Sequence, residues 1–542
     1  MPNILFYGDN LDVLRRHIRN ESVDLIYLDP PFNSNASYNV IFKKADGSVP
    51  EAQLMAFEDT WRWTLETEAV YDDIIMSGHD NLGQLLQSFR MFLGQNDMMA
   101  YLVMMAVRLK EMYVKLKPTG SLYLHCDPTA CHYIKLVLDA LFGPAKFRNE
   151  IVWKRTSAHN DPKRYGRNID TILFYTKGDT WTWNQQYKKH DETYLKRFRR
   201  QDADGRYWGD WDLSAKGLSG GGYEYEYKGA KSLWRVPIET MKEFDIANKL
   251  HFTRTGGIRL KRYLDETKGV PLQSLWDDIN PINSQAKERV GYATQKPVDL
   301  LSRILLTSSN EGDLVLDPFC GCGTTVAAAE RLNRQWIGID VTHLAIMKIK
   351  ERLNLLQERA SYVIRGLPKD LDGARELARQ NKKEFQLWVL DTIGAFPGKK
   401  GADGGIDGFF KFLVGDKFIA HKALVQVKGG HTEVGDIRDL RGAMAREKAE
   451  IGVFITLEEP TGPMKAEVVA AGLCRIPVGS SGQVEVLPTI QLMTVEELFR
   501  GKRPIMPTRQ PVLDKSMHNR ISSAQISLFE NKHDEHELTI QP

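Results

Sequence analysis

Apolar positions along the chain fall into two kinds of run. Val23-Asp-Leu-Ile-Tyr-Leu28, Ser121-Leu-Tyr-Leu-His125, Leu314-Val-Leu316 and Trp336-Ile-Gly-Ile339 are short and nearly continuous, the signature of strands buried on both faces of a parallel sheet. Between them apolar residues recur at helical intervals, over about 11–18, over the stretch that ends near Leu141, and over the Ala-rich 326–332. Buried strands alternating with helices predict an α/β domain with a parallel sheet. A second, smaller α/β unit is expected over 384–500, with strands over 409–414 and 423–428.

The segment from about 150 to 273 breaks this rhythm. Residues 151–200 hold 12 Lys/Arg against 5 Asp/Glu, interleaved with Trp153, Tyr165, Trp181, Trp183, Tyr187 and Phe198. Basic and aromatic residues together suit nucleic acid, DNA and RNA alike. The polar stretch 361–383 reads as a linker, and 501–542 as a mobile tail. The longest apolar run, Met98 to Val107, is half of what a membrane crossing needs, and Met1 to Asp9 lacks the basic start of a signal peptide. Five cysteines in 542 residues are no disulfide framework, so a reducing cytosol is the expected compartment. The net charge of +3 leaves the partner to be read from motifs.

The first motif is Asp29-Pro30-Pro31-Phe32, directly after the Val23–Leu28 run. Ligands of open α/β sheets bind beyond the carboxyl ends of strands. An exocyclic amine there would give one hydrogen to the Asp29 carboxylate and one to the Pro30 carbonyl, with Phe32 as a stacking face. Taken alone, the four residues read equally well as a strand-ending turn. The second motif, Asp317-Pro-Phe-Cys320-Gly321-Cys322-Gly323-Thr324, leads from strand to helix, and its glycines permit a tight turn and close approach of a ligand. Asp340 follows 23 positions after Asp317, about where an acidic residue meets ribose hydroxyls in nucleotide-binding units. No G-K-[ST] is present, so a ribose-bearing ligand without phosphates fits better. His125, Cys126, Cys131 and His132 lack paired metal-ligand spacing and are read as packing and capping residues rather than zinc ligands.

With both motifs in that order, residues 1–360 resemble the β-class S-adenosylmethionine-dependent DNA amino-methyltransferases. Tyr7-Gly8-Asp9, Asn149-Glu-Ile-Val-Trp153 and Thr294-Gln295-Lys296-Pro297 extend the likeness. The resemblance implies a seven-stranded, largely parallel sheet, double-stranded DNA as substrate, and a target-recognition insertion at about 155–275. It implies that Asp317, Gly321, Gly323 and Thr324 face the methionine side of the cofactor and Asp340 its ribose. Asp9 would lie near the adenine and Lys296 near the carboxylate. Asp at the first motif position is similar to the adenine-N6 enzymes, with cytosine-N4 as the alternative. It also implies a bacterial or archaeal protein, cytoplasmic and nucleoid-associated.

Two further patterns lie beyond residue 384. Asp407 precedes one expected strand, and Gln426 and Lys428 share a face of the next. This resembles the Mrr-like branch of the PD-(D/E)xK nucleases, and implies Mg2+ held by Asp407 and Gln426, with Glu384 as a further oxygen donor and Lys428 acting on water. The alternative is a fold that binds DNA without cutting it. Gln525-Ile526-Ser527-Leu528-Phe529 resembles the peptide by which bacterial DNA-processing proteins dock onto the sliding clamp; the alternative is a patch that docks on its own protein.

Overall fold

The computed structural model describes residues 2–31, 62–76, 80–157, 165–217, 221–283, 294–356, 360–398, 405–414, 419–478 and 483–507, together with 163, 286, 288–290 and 292. These fall into two compact units, one within Met1–Trp181, Asp277–Leu305 and Ser309–Pro542, the other within Thr182–Trp276 and Leu306–Ser308.

Among the described residues of the first unit, the larger sheet takes in β1 (Asn3–Tyr7), β2 (Val23–Leu28), β3 (Leu116–Cys126), β4 (Phe147–Lys154), β5 (Ile169–Thr176), β6 (Leu314–Asp317), β7 (Gln335–Asp340) and β8 (Tyr362–Arg365). They lie in the order β4-β5-β3-β2-β6-β7-β1-β8. Every neighbouring pair is parallel except the two that β5 makes. Leu25, Ile26 and Leu28 of β2 are fully buried, as a strand covered on both faces requires. Helices α1 (Asn10–His17) and α2 (Asp97–Lys115) cover the sheet, with α3 (Thr324–Arg331) and α4 (His343–Asn354) following β6 and β7. The apolar run at Met98–Val107 lies in α2, where most of it is buried. No helix among the described residues is long and apolar enough to cross a membrane.

The sheet runs past the expected seven strands, because Tyr362–Arg365 adds to the edge beyond β1. The expected 361–383 linker is therefore structured. Its first part is β8, and its second is α5 (Leu371–Gln380), whose Ala374 and Ala378 are buried in the C-terminal core.

That core surrounds a second sheet, in which Phe396–Pro397 is followed by β9 (Gly408–Val414), β10 (Ile419–Lys428), β11 (Ile451–Thr456) and β12 (Ile490–Thr494) in spatial order. Alternation along β10 sends Ala423, Val425 and Val427 to the face covered by α5 and α6 (Lys382–Ile393). Leu424 goes to the opposite face with Ile437 and Leu440 of α7 (Val434–Glu447), and Gln426 and Lys428 share its parity.

The second unit carries the hairpin of Tyr223–Tyr227 with Ala230–Trp234, and a four-stranded sheet that includes Tyr207–Asp212 and Ile258–Tyr263. Its cations are partly matched from within: Arg206 pairs with Asp265, Lys261 with Asp202, and Arg259 with Asp210. Several also lie over rings, Arg206 on Tyr263 at 3.8 Å and Arg262 on Trp211 at 5.2 Å.

Phe385 of α6 is fully buried, and a Cβ on Gly429 would come within 3.0 Å of its ring. Phe385→Ala is expected to cost about 3–5 kcal/mol, read as a lower denaturant midpoint for the C-terminal core.

Candidate active site

The carboxyl ends of β6 and β7 make an acidic cradle. Past Asp317 the chain turns through Gly321 (φ +49°) and Gly323 (φ +74°), in the left-handed region that glycine tolerates. A Cβ on Gly323 would lie 2.6 Å from Ile349 Cγ1 of α4, so the turn also needs glycine for close packing. Asp340 closes the cradle: its Oδ2 accepts from Gly321 N at 2.9 Å, and its Oδ1 from Thr342 N at 2.9 Å and Thr342 Oγ1 at 2.7 Å. Asp317 is buried, and its Oδ1 accepts from Phe319 N at 3.0 Å. Desolvation, with repulsion from neighbouring carboxylates as a smaller cause, pushes Asp317 up to about 7 and Asp340 up to about 6. The Cys320 and Cys322 thiols are buried and pushed up by desolvation as well, which makes them neutral spacers.

Asp29 stands beside this cradle because β2 and β6 are adjacent, with Leu25 opposite Val315 and Ile26 opposite Leu316. Asp29 Oδ2 receives Lys296 Nζ at 2.5 Å, whereas Oδ1 is buried with no hydrogen-bond partner among the described residues. Lys296 is fastened through its backbone: its carbonyl accepts from Thr324 Oγ1 at 3.2 Å, and Thr324 Oγ1 accepts from Arg352 at 2.8 Å. The Gln295 amide bonds Val290 N and the Glu288 carbonyl, pinning the same segment. Pro30 and Pro31 follow Asp29; Phe32 lies outside the described residues.

Several of the expected site residues have partners that the sequence does not mark. Lys296 meets Asp29 as its ion-pair partner. The Asp9 carboxylate caps α1 through Leu11 N at 2.8 Å and pairs with Arg108 at 2.7 Å. Its neighbour Asn10 is the residue that touches the second motif, donating to the Pro318 carbonyl at 2.9 Å. Thr324 spends its hydroxyl on Lys296 and Arg352.

Two features had escaped sequence reading. Tyr292 packs against the glycine turn, 3.4 Å from where a Cβ on Gly321 would sit. Desolvation and the neighbouring Asp340 push its hydroxyl up. Behind β2, Tyr27 Oη bonds His125 Nδ1 at 3.0 Å, and His125 Nε2 bonds Asp170 Oδ2 at 3.0 Å. All three side chains are buried. Neighbouring strands make this chain, each pair two positions away from direct register, and sequence order carries no mark of it. His125 is thus committed to Tyr27 and Asp170, and no group of three or more His, Cys, Asp or Glu suited to a metal occurs among the described residues.

The C-terminal sheet brings Asp407 to β10. Asp407 N donates to the Val425 carbonyl at 2.9 Å, and its Oδ2 accepts from Val427 N at 2.7 Å. Gln426 between them is buried, and its Oε1 has no partner among the described residues. Lys428 pairs with Asp436 of α7 at 3.0 Å, a partner absent from the expected set. Glu384 is a correction. Its Oε2 accepts from His343 N at 2.6 Å and from Tyr7 Oη at 3.3 Å. The first turn of α6 therefore meets the strand ends of the first sheet, and Glu384 serves that neighbourhood rather than the Asp407 hairpin. Gln525–Phe529 lies outside the described residues.

A mostly parallel sheet whose adjacent strands end in Asp-Pro-Pro and Asp-Pro-Phe-x-Gly-x-Gly loops around one acidic cradle has the organisation of an α/β methyltransferase. The chain belongs to the DNA methylase family, whose model matches residues 23–351, and residues 373–499 match the restriction endonuclease family Mrr_cat. The type II methyltransferase M.EcaI of Enterobacter cloacae is 29% identical over 359 residues, covering 65% of this chain and 69% of its own length. The type III restriction-modification enzyme StyLTI Mod subunit of Salmonella typhimurium is 28% identical over 354 residues, covering 61% of this chain; the match spans 50% of that relative. The solved complex of M1.HpyAVI with SAM aligns with 65% of this chain and 100% of its own, at 15% identity and a TM-score of 0.31.

The raised carboxylates give a signed pH dependence. An unfolded Asp loses its proton near 3.9, while folded Asp317 holds it to about 7. The native state thus binds more protons across that interval, so this contribution to stability is complete below about pH 4 and lost as pH rises to about 7. Asp317→Asn is expected to flatten that decline, seen as a Tm difference from the parent protein that changes between pH 4 and 7 and then levels off.

Proposed function

We propose that the chain is a site-specific methyltransferase that moves a methyl group from S-adenosylmethionine to adenine N6 in double-stranded DNA, and that its C-terminal sheet carries a Mg2+-dependent endonuclease. The observation that carries the first part is the buried Asp29 Oδ1, without a partner among the described residues, beside a cradle of desolvated carboxylates. Such a cradle suits a cationic ligand rich in donors. Asp340 would take the ribose hydroxyls, and Asp317 with the glycine turn the methionine end. The bound cofactor supplies a methyl group on a positively charged sulfur.

The rest is done by the chain. A target base must leave the duplex for its amine to reach Asp29, at a cost of a few kcal/mol. Asp29 Oδ1 then accepts one amine hydrogen and the Pro30 carbonyl the other, aiming the lone pair away from both. As positive charge moves onto the nitrogen, the fixed carboxylate stabilises it without reorganising. Lys296 orients Asp29 through its other oxygen. The aromatic and basic groups of the inserted unit, among them Arg262 over Trp211, support DNA as substrate.

In the C-terminal sheet, Asp407 and Gln426 Oε1, the latter without a partner among the described residues, are the oxygen donors for Mg2+, and Lys428 is the cation beside them. A Mg2+ ion there would polarise a phosphodiester, with Lys428 orienting the attacking water.

Asp29→Ala is expected to lower kcat for methyl transfer to duplex DNA roughly 10²–10³-fold. Nucleoside mass spectrometry of the product should show N6-methyladenine. N4-methylcytosine instead would move the target to cytosine, and full activity of the variant would remove Asp29 from the chemistry.

Cleavage of unmethylated and methylated DNA with Mg2+ should occur with the parent protein and fall at least 10²-fold in Lys428→Ala. If the parent protein leaves every substrate intact, the C-terminal sheet binds DNA without cutting it.

A further inference from the structure

Helix α6 belongs by sequence to the restriction endonuclease match, yet one of its faces closes on the methylase sheet. Glu384, Leu387 and Asp391 stand at i, i+3 and i+7, a single stripe. Glu384 accepts from His343 N at 2.6 Å and Tyr7 Oη at 3.3 Å. Leu387 packs on Leu344, both buried. Asp391 receives Lys350 Nζ at 2.8 Å and meets His343 Nε2 at 3.2 Å.

The place where Glu384 lands matters most. The His343 amide opens α4 and is one of those a helix start leaves without an intrahelical acceptor; Glu384 supplies one from another segment. Thr342, one residue earlier, is held by Asp340 through both its amide and its hydroxyl. On the other side, Tyr7 leads to Gly8, whose amide donates to the Asp340 carbonyl at 2.9 Å. Glu384 therefore joins the two segments that flank Asp340, through the Tyr7 side-chain hydroxyl at the end of β1 and the His343 backbone amide at the start of α4. It also adds a negative charge near Asp340.

We propose that Glu384 is a positioning residue of the cofactor site, so that the seating of the endonuclease-family segment and the affinity for the cofactor depend on one another. This rests on the reading of Asp340 as the acceptor of the cofactor ribose. Because linkage is reciprocal, whatever loosens α6 weakens the cofactor, and cofactor binding tightens α6. The joint between the two catalytic parts thereby senses the cofactor.

The test is titration calorimetry of the full chain with S-adenosylmethionine, together with amide hydrogen exchange over 382–391. Glu384→Ala is expected to raise Kd about 5- to 20-fold, a coupling of ordinary size. Glu384→Gln keeps an acceptor oxygen for Tyr7 and His343 and should stay within about threefold of the parent protein. In the parent protein, cofactor should slow exchange over 382–391; in Glu384→Ala it should not. Equal Kd for the parent protein and Glu384→Ala, or exchange over 382–391 indifferent to cofactor in the parent protein, would overturn the proposal. If Glu384→Ala fails to fold, the exchange result with the parent protein decides. Failure of the parent protein to bind the cofactor at all would instead strike the reading of Asp340.

Discussion

Three carboxylates drawn together at the carboxyl ends of neighbouring strands set the terms for the rest of the structure. Asp29, Asp317 and Asp340 end β2, β6 and β7, which are consecutive in the sheet. Each is desolvated or close to desolvated, and their charges oppose one another. Such an arrangement is costly in a folded chain, and the surroundings are built to hold it. Backbone amides of Phe319, Gly321 and Thr342 point at the acids, and Lys296 meets Asp29. What remains is a site with negative charge to spare, and a cation is the ligand that relieves it.

The parts of this arrangement that depend on local pattern were legible from the residues. The continuous apolar runs become β2, β6 and β7, and both proline-containing motifs fall at strand ends, since a strand covered on two faces leaves polar residues only at its limits. The wiring between distant segments was not legible. Lys296 meets Asp29 across 267 positions and Glu384 meets His343 across 41, and nothing in the order of residues marks either pairing. Residues 361–383 look like a polar connection because the stripe that α5 packs on the core is short, Leu371, Ala374, Leu377 and Ala378, and is set among charged residues. The excess of cations in the insertion is tempered by its own carboxylates, a balance seen only once Asp202, Asp210 and Asp265 are brought alongside.

The two family regions meet through specific side chains. Salt bridges on a surface contribute little, but the contacts of α6 are partly buried and fall on the turn that holds Asp340. A helix from one catalytic part caps a helix of the other, next to the carboxylate assigned to the cofactor. A change in either part therefore has a short route to the other, through Thr342 and His343. The Lys428–Asp436 pair poses a similar constraint within the C-terminal sheet, because the lysine assigned to cleavage rests on a carboxylate of α7.

The most direct test of the acidic cradle is the proton balance of cofactor binding near pH 6.5, by calorimetry in buffers of different ionisation enthalpy. At that pH Asp317, at about 7, and Asp340, at about 6, are each partly protonated. A positively charged ligand seated among them must drive those protons off, so binding of S-adenosylmethionine should release protons, and less of them from Asp317→Asn. Binding with no net proton exchange in any buffer would contradict the account.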